Sequence, residues 1–341
     1  MASYTEGPVP EGRAKEEISA VMFGGCGDIL CDTLLDDTWI FTCTSTQKSN
    51  EYKWTQLQLP NSPTKRRSFK MSYLGIIGTK PHVMLFGGAC KEGFDQTRSG
   101  ISCQDTPDDG LSWIFDGSTW RRIVTDPSSA PSPRYQHSMA SYSGAVVSTK
   151  NKQQSLQVVV LGGTDGLSSA MTKITNTKTY TYTPNAAGKW NVSVHTTPSA
   201  RAAFAMASIP SKPGVGQRAS TSGTVVLFGG QLGEQNVECN NFLSDDTWEW
   251  KNDSQWVQQK RRYNNSKEPY PWPLVRHEHT MVGMQNRMGN RFALLYGGFG
   301  GCAMSSSQQE KGHTLNDTWY VFFSDILNEV LFSFLTLFLL F

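Results

Sequence analysis

The most regular feature of the chain is an alternating apolar segment that ends in two glycines and recurs five times. Segments such as 224–228 and 291–296 are rich in Val, Leu and Phe, which is typical of buried β-strands. The first glycines of successive pairs lie 63, 75, 67 and 68 residues apart. This spacing predicts one supersecondary unit copied along the chain, each copy too small to bury its apolar face alone. The pairs are Gly24-Gly25, Gly87-Gly88, Gly162-Gly163, Gly229-Gly230 and Gly297-Gly298.

Two further strand-like segments follow each glycine pair after a loop of variable length. The first carries large aromatic side chains two positions apart, which places them on one face of a strand. Its leading aromatics are Trp39, Trp113, Tyr180, Trp248 and Trp319. The second is short and polar, as suits an outer strand, and in four of the five units it carries a lone tryptophan: Trp54, Trp120, Trp190 and Trp256.

An arginine opens the first strand of the following unit, five residues before a methionine. These arginines are Arg66, Arg134, Arg201 and Arg276. Met1 aligns with Met139 in the third unit, so we expect the chain to begin in the middle of a strand and to lack the arginine of its first unit. The arginine-led, apolar, aromatic and tryptophan-bearing segments together predict four strands in each unit.

This order of segments resembles the kelch repeat family over residues 1 to about 322. The resemblance implies an all-β fold, a β-propeller of four-stranded antiparallel blades around a channel. We expect blades at residues 1–60, 61–125, 126–195, 196–260 and 261–322, followed by an apolar tail at 323–341. Because kelch propellers usually close with six or seven blades, we expect an incomplete ring, with a five-bladed ring as the alternative.

The repeated residues are interpreted as structural. Glycine accepts positive φ and close backbone approach at a sharp turn, and no Lys-Ser/Thr follows the pairs to form a phosphate loop. Kelch repeats that resemble these carry Arg or His with Asp as a buried network, so we expect each arginine to pair with the aspartate of Asp-Thr-Trp rather than to act in catalysis. Leu111 and Lys178 break that aspartate pattern, so blades two and three must be held differently.

His277 and His279 alternate on a strand and could share a face for a metal, but no third ligand is near them in sequence. We therefore expect no catalytic residue, no cofactor and no metal site.

Cysteine placement bears on the cellular compartment. Six of the seven cysteines lie in the loops between the glycine pairs and the aromatic strands. Disulfides joining Cys26 to Cys31 and Cys90 to Cys103 would brace these loops in an oxidising compartment, whereas zinc is disfavoured because no Cys-x-x-Cys occurs. Glycosylation sequons begin at Asn191, Asn252, Asn264 and Asn316. We expect a secreted or cell-surface protein rather than a cytoplasmic one.

Charge and hydropathy limit the partners. Lys plus Arg number 31 and Asp plus Glu number 29, so there is no basic field for nucleic acid. The apolar run 330–341 has 12 residues, fewer than the roughly 20 needed to span a bilayer. A membrane partner is expected only if this run is a truncated membrane segment. A poorly formed lipid-anchor signal and translated non-coding sequence are the alternatives.

The function expected from these features is recognition. Long, unequal loops on a rigid ring favour a module that binds a protein or a glycan, with side chains such as Phe94, Arg98 and Gln231 on the binding face. The first alternative is a galactose-oxidase-like copper radical oxidase or another sugar-converting propeller enzyme, but the six histidines show no ligand spacing. The second is an intracellular adaptor for ubiquitin ligation, although no BTB domain precedes the repeats.

Overall fold

The computed structural model describes most of the strand-forming parts of the chain. The described residues are 2–3, 16–28, 31–45, 50–78, 80–90, 112–123, 129–143, 156–164, 178–184, 189–193, 197–209, 223–232, 243–251, 255–260, 272–286, 290–300, 313–324 and 329–334. Within them the regular structure is β-strand throughout. These ranges contain no helix long and apolar enough to cross a bilayer.

The described strands form six antiparallel sheets. Five are the blades of a five-bladed β-propeller, and the sixth is a two-stranded sheet of Phe299–Gly300 with His313–Thr314. The first strand of each blade contacts the first strand of the next and is therefore innermost. Blade one consists of Ala2–Ser3, Glu16–Cys26, Leu34–Ser45 and Asn50–Leu57; blade two of Lys70–Ile77, Lys80–Phe86, Ser112–Phe115 and Trp120–Arg122; blade three of Ser138–Ser143, Leu156–Leu161, Thr179–Thr183 and Lys189–Ser193. Blade four consists of Arg201–Ala202 with Ala205–Ile209, then Thr224–Leu232, Leu243–Lys251 and Gln255–Gln259; blade five of Thr280–Gln285, Arg291–Tyr296, Thr318–Ser324 and Glu329–Phe334.

The second strand of each blade explains why the repeated segments are so apolar. In blade four, Val225 and Leu227 pack against blade three, while Val226 and Phe228 pack against blade five. Both faces of this strand are buried, so its pattern is a continuous apolar run. Four apolar clusters of this kind join blade one to two, two to three, three to four and four to five.

The last strand changes one boundary drawn from the sequence. Blade five was expected to end at residue 322, before an apolar tail, but Glu329–Phe334 pairs with Thr318–Ser324 as the outermost strand of that blade. The segment lacks the tryptophan that marks the outermost strand in the other units. Its apolar residues favour strand pairing, which satisfies backbone groups that the edge of Thr318–Ser324 would otherwise leave open. The expectation of a larger ring stays a prediction.

Candidate functional site

The end of the propeller at which the glycine pairs lie is the candidate binding surface, and we call it the loop face. At this end the second glycine of one blade donates its backbone N–H to the carbonyl oxygen of the arginine that opens the next blade. The four bonds, each 2.9 Å long, join Gly25 to Arg66, Gly88 to Arg134, Gly163 to Arg201 and Gly230 to Arg276. Adjacent blades are thus fixed to one another immediately beneath the loops.

The arginine side chains form the second part of this frame. Arg201 is buried, donates from Nη1 to the carbonyl oxygen of Gly229 over 2.9 Å, and binds both carboxylate oxygens of Asp246 at 2.5 and 2.8 Å. Arg276 binds Gly297 and Asp317 in the same way. The expected pairing of arginine with the aspartate of Asp-Thr-Trp is confirmed in blades four and five.

The electrostatics of the pair follow from this geometry. Burial acts to raise the pKa of Asp246, but the hydrogen bonds and charge of Arg201, with bonds from Ser244 and Trp248, outweigh it and lower the pKa below its usual value. The pKa of Asp317 is lowered in the same sense against burial, by Arg276 and Trp319. Both aspartates are ionised at neutral pH.

The arginines of blades two and three bind hydroxyl groups, and the expectation that these blades are held differently stays a prediction. Arg66 donates from Nη2 to the hydroxyl of Thr64 over 3.0 Å, and Arg134 donates to the hydroxyl of Ser132 over the same distance. The Arg134 guanidinium also lies over the ring of Tyr180, 5.2 Å from its centroid. Sequence reasoning missed these hydroxyls, although a Thr or Ser two residues before the arginine was the available signal.

In the first four blades the first glycine of the pair lies against the next blade. Gly162 has φ +67°, and a Cβ there would collide with the carbonyl oxygen of Arg201 and the ring of Phe204. A side chain is therefore excluded twice, by backbone conformation and by space. This agrees with the structural interpretation of the glycine pairs.

The residue two positions after each arginine adopts the left-handed conformation, with φ between 53° and 55°. These residues are Ser68, Gln136, Ala203 and Glu278. Their main chains form a hydrogen-bonded series from blade to blade: Gln136 donates to Ser68 over 3.2 Å, Ala203 to Gln136 over 2.9 Å, and Glu278 to Ala203 over 2.7 Å. The series fixes the backbone beside the propeller axis.

The side chains carried by this frame differ from blade to blade. One position after each arginine, the chain pairs through its backbone with the residue that follows the glycine pair of the same blade. The pairs are Arg67 with Ala89, Tyr135 with Thr164, Ala202 with Gln231 and His277 with Phe299. Of these side chains, Ala89, Tyr135, Thr164 and Ala202 are buried, whereas Arg67, Gln231, His277 and Phe299 are at least partly exposed and differ in chemistry from blade to blade.

His277 is the centre of a small polar and aromatic group on blades four and five. Gln231 donates from Nε2 to Nδ1 of His277 over 3.2 Å, and the His277 ring lies 5.8 Å from that of Phe299. Burial lowers the pKa of His277, and the charge of Glu278 opposes that shift. Of the loop residues expected to bind, Gln231 is on this face, while Phe94 and Arg98 lie outside the described residues.

His279 does not join His277. Its Nε2–H donates to the carbonyl oxygen of Phe228 over 3.1 Å, and its ring packs edge-on against that of Phe228. Burial and the nearby Arg276 lower the pKa of His279 to about 3. Burial, Arg134 and Lys70 also hold the pKa of His137 well below its usual value. In the described parts of the chain, His, Cys, Asp and Glu side chains form no group of three that could hold a metal ion.

A disulfide joins Cys26 to Cys31 beside the first glycine pair, as the sequence predicts. The turn that it closes is also held by Asp28, whose carboxylate accepts the backbone N–H groups of Asp32 and Thr33 at 2.9 and 2.8 Å. Cys90 is disulfide-bonded as well, and its predicted partner Cys103 lies outside the described residues.

Comparison with known proteins leaves the family open. No protein-family model matches the chain, and no curated protein matches its sequence. The function is therefore inferred from the geometry of the loop face.

Proposed function

We propose that the chain is a kelch-type interaction module that binds a protein or a glycan through the loop face. The observation that carries this proposal is the contrast between the constant frame and its variable side chains. Arginine, glycine and left-handed residues recur at fixed positions, whereas the side chains that are at least partly exposed beside them differ, as Arg67, Gln231, His277 and Phe299 do. Such a division is typical of a scaffold whose loops carry recognition.

The physical advantage of this frame is preorganisation. The main chain beneath the loop face is fixed by bonds between blades, so little backbone entropy is lost when a ligand binds. Phe299 is exposed beside the polar pair of Gln231 and His277, which gives apolar area next to hydrogen-bonding groups. That combination suits an aromatic or apolar protein side chain and equally the face of a sugar ring.

The kelch assignment is supported by the order of the four strands and by the arginine–aspartate pairs of blades four and five. We propose binding without catalysis, so copper should produce neither a radical absorption band nor sugar oxidation. Either result would contradict this part of the proposal.

The disulfides support a secreted or cell-surface location, because such bonds persist in oxidising compartments. Thiol labelling of protein from its native source checks this directly. If Cys26 and Cys31 do not react with the label, the result agrees with the proposal, whereas free thiols at both positions would favour the cytoplasm.

The binding proposal is tested by comparing two double variants with the wild-type protein. Glu278→Lys with Phe299→Ala changes the loop face. Lys80→Ala with Asn290→Ala changes exposed residues at the opposite end of the blades and is the matched control. Each protein is immobilised and used for glycan-array binding and for protein capture from its native source.

We expect the wild type and the control to retain a ligand that the loop-face variant loses. Circular dichroism should show the same fold for all three proteins. A ligand that is lost equally from both variants, or from neither, would contradict recognition through this face.

A further inference from the structure

Lys70 places a positive charge beside the apolar cluster that joins blades two and three. It lies opposite Phe86 in the sheet, and residues directly opposite each other on neighbouring strands share a face. Phe86 is fully buried in the cluster between these two blades. The Lys70 side chain therefore begins on the face of blade two that packs against blade three. In the next two blades the equivalent residues are small and buried, namely Ser138 and Ala205.

The interface between blades four and five shows what the lysine changes. There Ala205 lies opposite Phe228, whose ring packs edge-on against the ring of His279 with 5.6 Å between the centroids. The corresponding residues between blades two and three are Lys70, Phe86 and His137, with 5.2 Å between the two rings. The two arrangements match except that a lysine stands in one of them where the other has an alanine.

In the part of the chain that the structure describes, no carboxylate balances this charge. Lys70 is partly buried and makes no ion pair or hydrogen bond there. Burial lowers the pKa of Lys70, and no described acidic side chain opposes that shift. Burial and the neighbouring arginines lower the pKa values of His137 and His279, and the charge of Lys70 adds to both shifts. A cation that is removed from water without a counter-ion is costly, so this position favours an anion.

We propose that Lys70 binds a small monovalent anion, such as chloride, at the interface between blades two and three. The ammonium group donates a charge-assisted hydrogen bond to the anion. Nδ1 of His137 is buried and has no hydrogen-bond partner among the described residues, so the tautomer with its proton on Nδ1 can donate a second bond. Because Ala205 is packed within the core at the equivalent place, the position suits an ion of atomic size. The site lies between blades and does not depend on ligand binding at the loop face.

The direct test is chloride nuclear magnetic resonance, in which the chloride line broadens when the ion exchanges with a protein site. Lys70→Ala copies the residue of blade four. Lys80→Ala removes an exposed lysine that pairs with Asp116 and is the matched control. We expect saturable broadening with the wild type and the control, and its loss with Lys70→Ala. A wild type without saturable broadening, or a Lys70→Ala variant that keeps it, would overturn the proposal.

Stability gives an independent measurement. Urea unfolding is compared in sodium gluconate, whose anion is too large for the site, and in sodium chloride at the same ionic strength. Chloride at about ten times its dissociation constant should raise the folding equilibrium constant of the wild type about elevenfold more than that of Lys70→Ala. In gluconate the variant should be at least as stable as the wild type, because the uncompensated charge is gone. An equal response of both proteins to chloride would contradict a bound anion.

His137→Phe tests the second donor. Phenylalanine already occupies this position in blades two and four, as Phe69 and Phe204, so the fold should accept it. Loss of one ordinary hydrogen bond should raise the dissociation constant for chloride about fivefold. An unchanged dissociation constant would exclude His137 as a donor to the anion.

Discussion

The indole N–H of Trp256 in blade four donates to the hydroxyl of Thr179 in blade three over 3.0 Å. Trp120 and Thr38 make the same bond between blades two and one. Thr247 holds the corresponding position in blade four, where its hydroxyl is buried and has no hydrogen-bond partner. The outermost strand of blade five, Glu329–Phe334, contains no tryptophan that could donate to it.

Replacing these threonines by valine should therefore have opposite results. Thr179→Val leaves the buried indole N–H of Trp256 unpaired and should lower the free energy of unfolding by about 1–3 kcal/mol. Thr247→Val removes an unsatisfied hydroxyl at nearly constant volume and should be neutral or stabilising. Urea unfolding of both variants and the wild type measures the difference. Equal losses would show that Thr247 has a partner in solution.

The charged pair of blade four predicts a larger effect. Asp246→Asn leaves the buried Arg201 without a counter-ion and should cost about 3 kcal/mol of unfolding free energy. Thr64→Ala removes one hydroxyl acceptor from Arg66 in blade two and should cost about 1 kcal/mol. Because the pKa of Asp246 is lowered in the folded state, the contribution of its charge is present above pH 4 and is lost as the pH falls through the folded pKa. A loss for Asp246→Asn no larger than for Thr64→Ala would contradict this ranking.

The buried histidines predict acid sensitivity at higher pH. The pKa values of His137 and His279 are lowered in the folded state, so the unfolded chain binds more protons once the pH falls below about 6.5. Stability should therefore decrease from pH 6.5 downwards, by about 2 kcal/mol at pH 5 for His279 alone.

Blades two and four supply a matched replacement for His279, because Phe69 and Phe204 occupy the same position there. His279→Phe should reduce the pH dependence of the unfolding free energy between pH 7 and 5 and leave the part that comes from His137, as denaturant titration at each pH would measure. If the wild type and the variant lose the same stability over that range, His279 is not the titrating group.

The glycine pairs predict a difference between the third and fifth blades. Gly162→Ala forces a Cβ against the Arg201 carbonyl oxygen in the next blade, in addition to the left-handed backbone, and should cost at least about 3 kcal/mol. Gly297→Ala has the same φ of +67° but an open neighbourhood, so only the conformational cost of about 1–2 kcal/mol is expected. Thermal unfolding of the two variants checks the order. A Gly297→Ala loss as large as that of Gly162→Ala would mean that blade five is covered in solution.

Much of the fold was predictable because one signal is repeated. Alternating apolar residues ending in Gly-Gly gave five central strands, and the Asp-Thr-Trp sequences gave the arginine partners in blades four and five. The outermost strand of blade five was not predictable from the repeat, because Glu329–Phe334 lacks the tryptophan that marks its equivalents.

The left-handed positions could not be found from residue type. Ser68, Gln136, Ala203 and Glu278 include none of the residues that usually adopt positive φ, namely Gly, Asn or Asp. Their conformation is imposed by hydrogen bonds to the neighbouring blades, and such tertiary constraints leave no local trace in the sequence. The exposure of Val282 in blade five and of Met22 in blade one could not be predicted either. Both lie in apolar strand segments like those of the buried blades, and their exposure depends on the neighbouring sheet.

The series through Ser68, Gln136, Ala203 and Glu278 uses only main-chain atoms. Ala203 is buried, but Ser68, Gln136 and Glu278 are at least partly exposed, so other amino acids that tolerate the conformation can stand at these three sites without loss of a scaffold bond. Combinatorial libraries could randomise them together and select new ligands, with the adjoining blades unaltered. The same freedom lets natural descendants of this chain diverge in specificity faster than they diverge in shape.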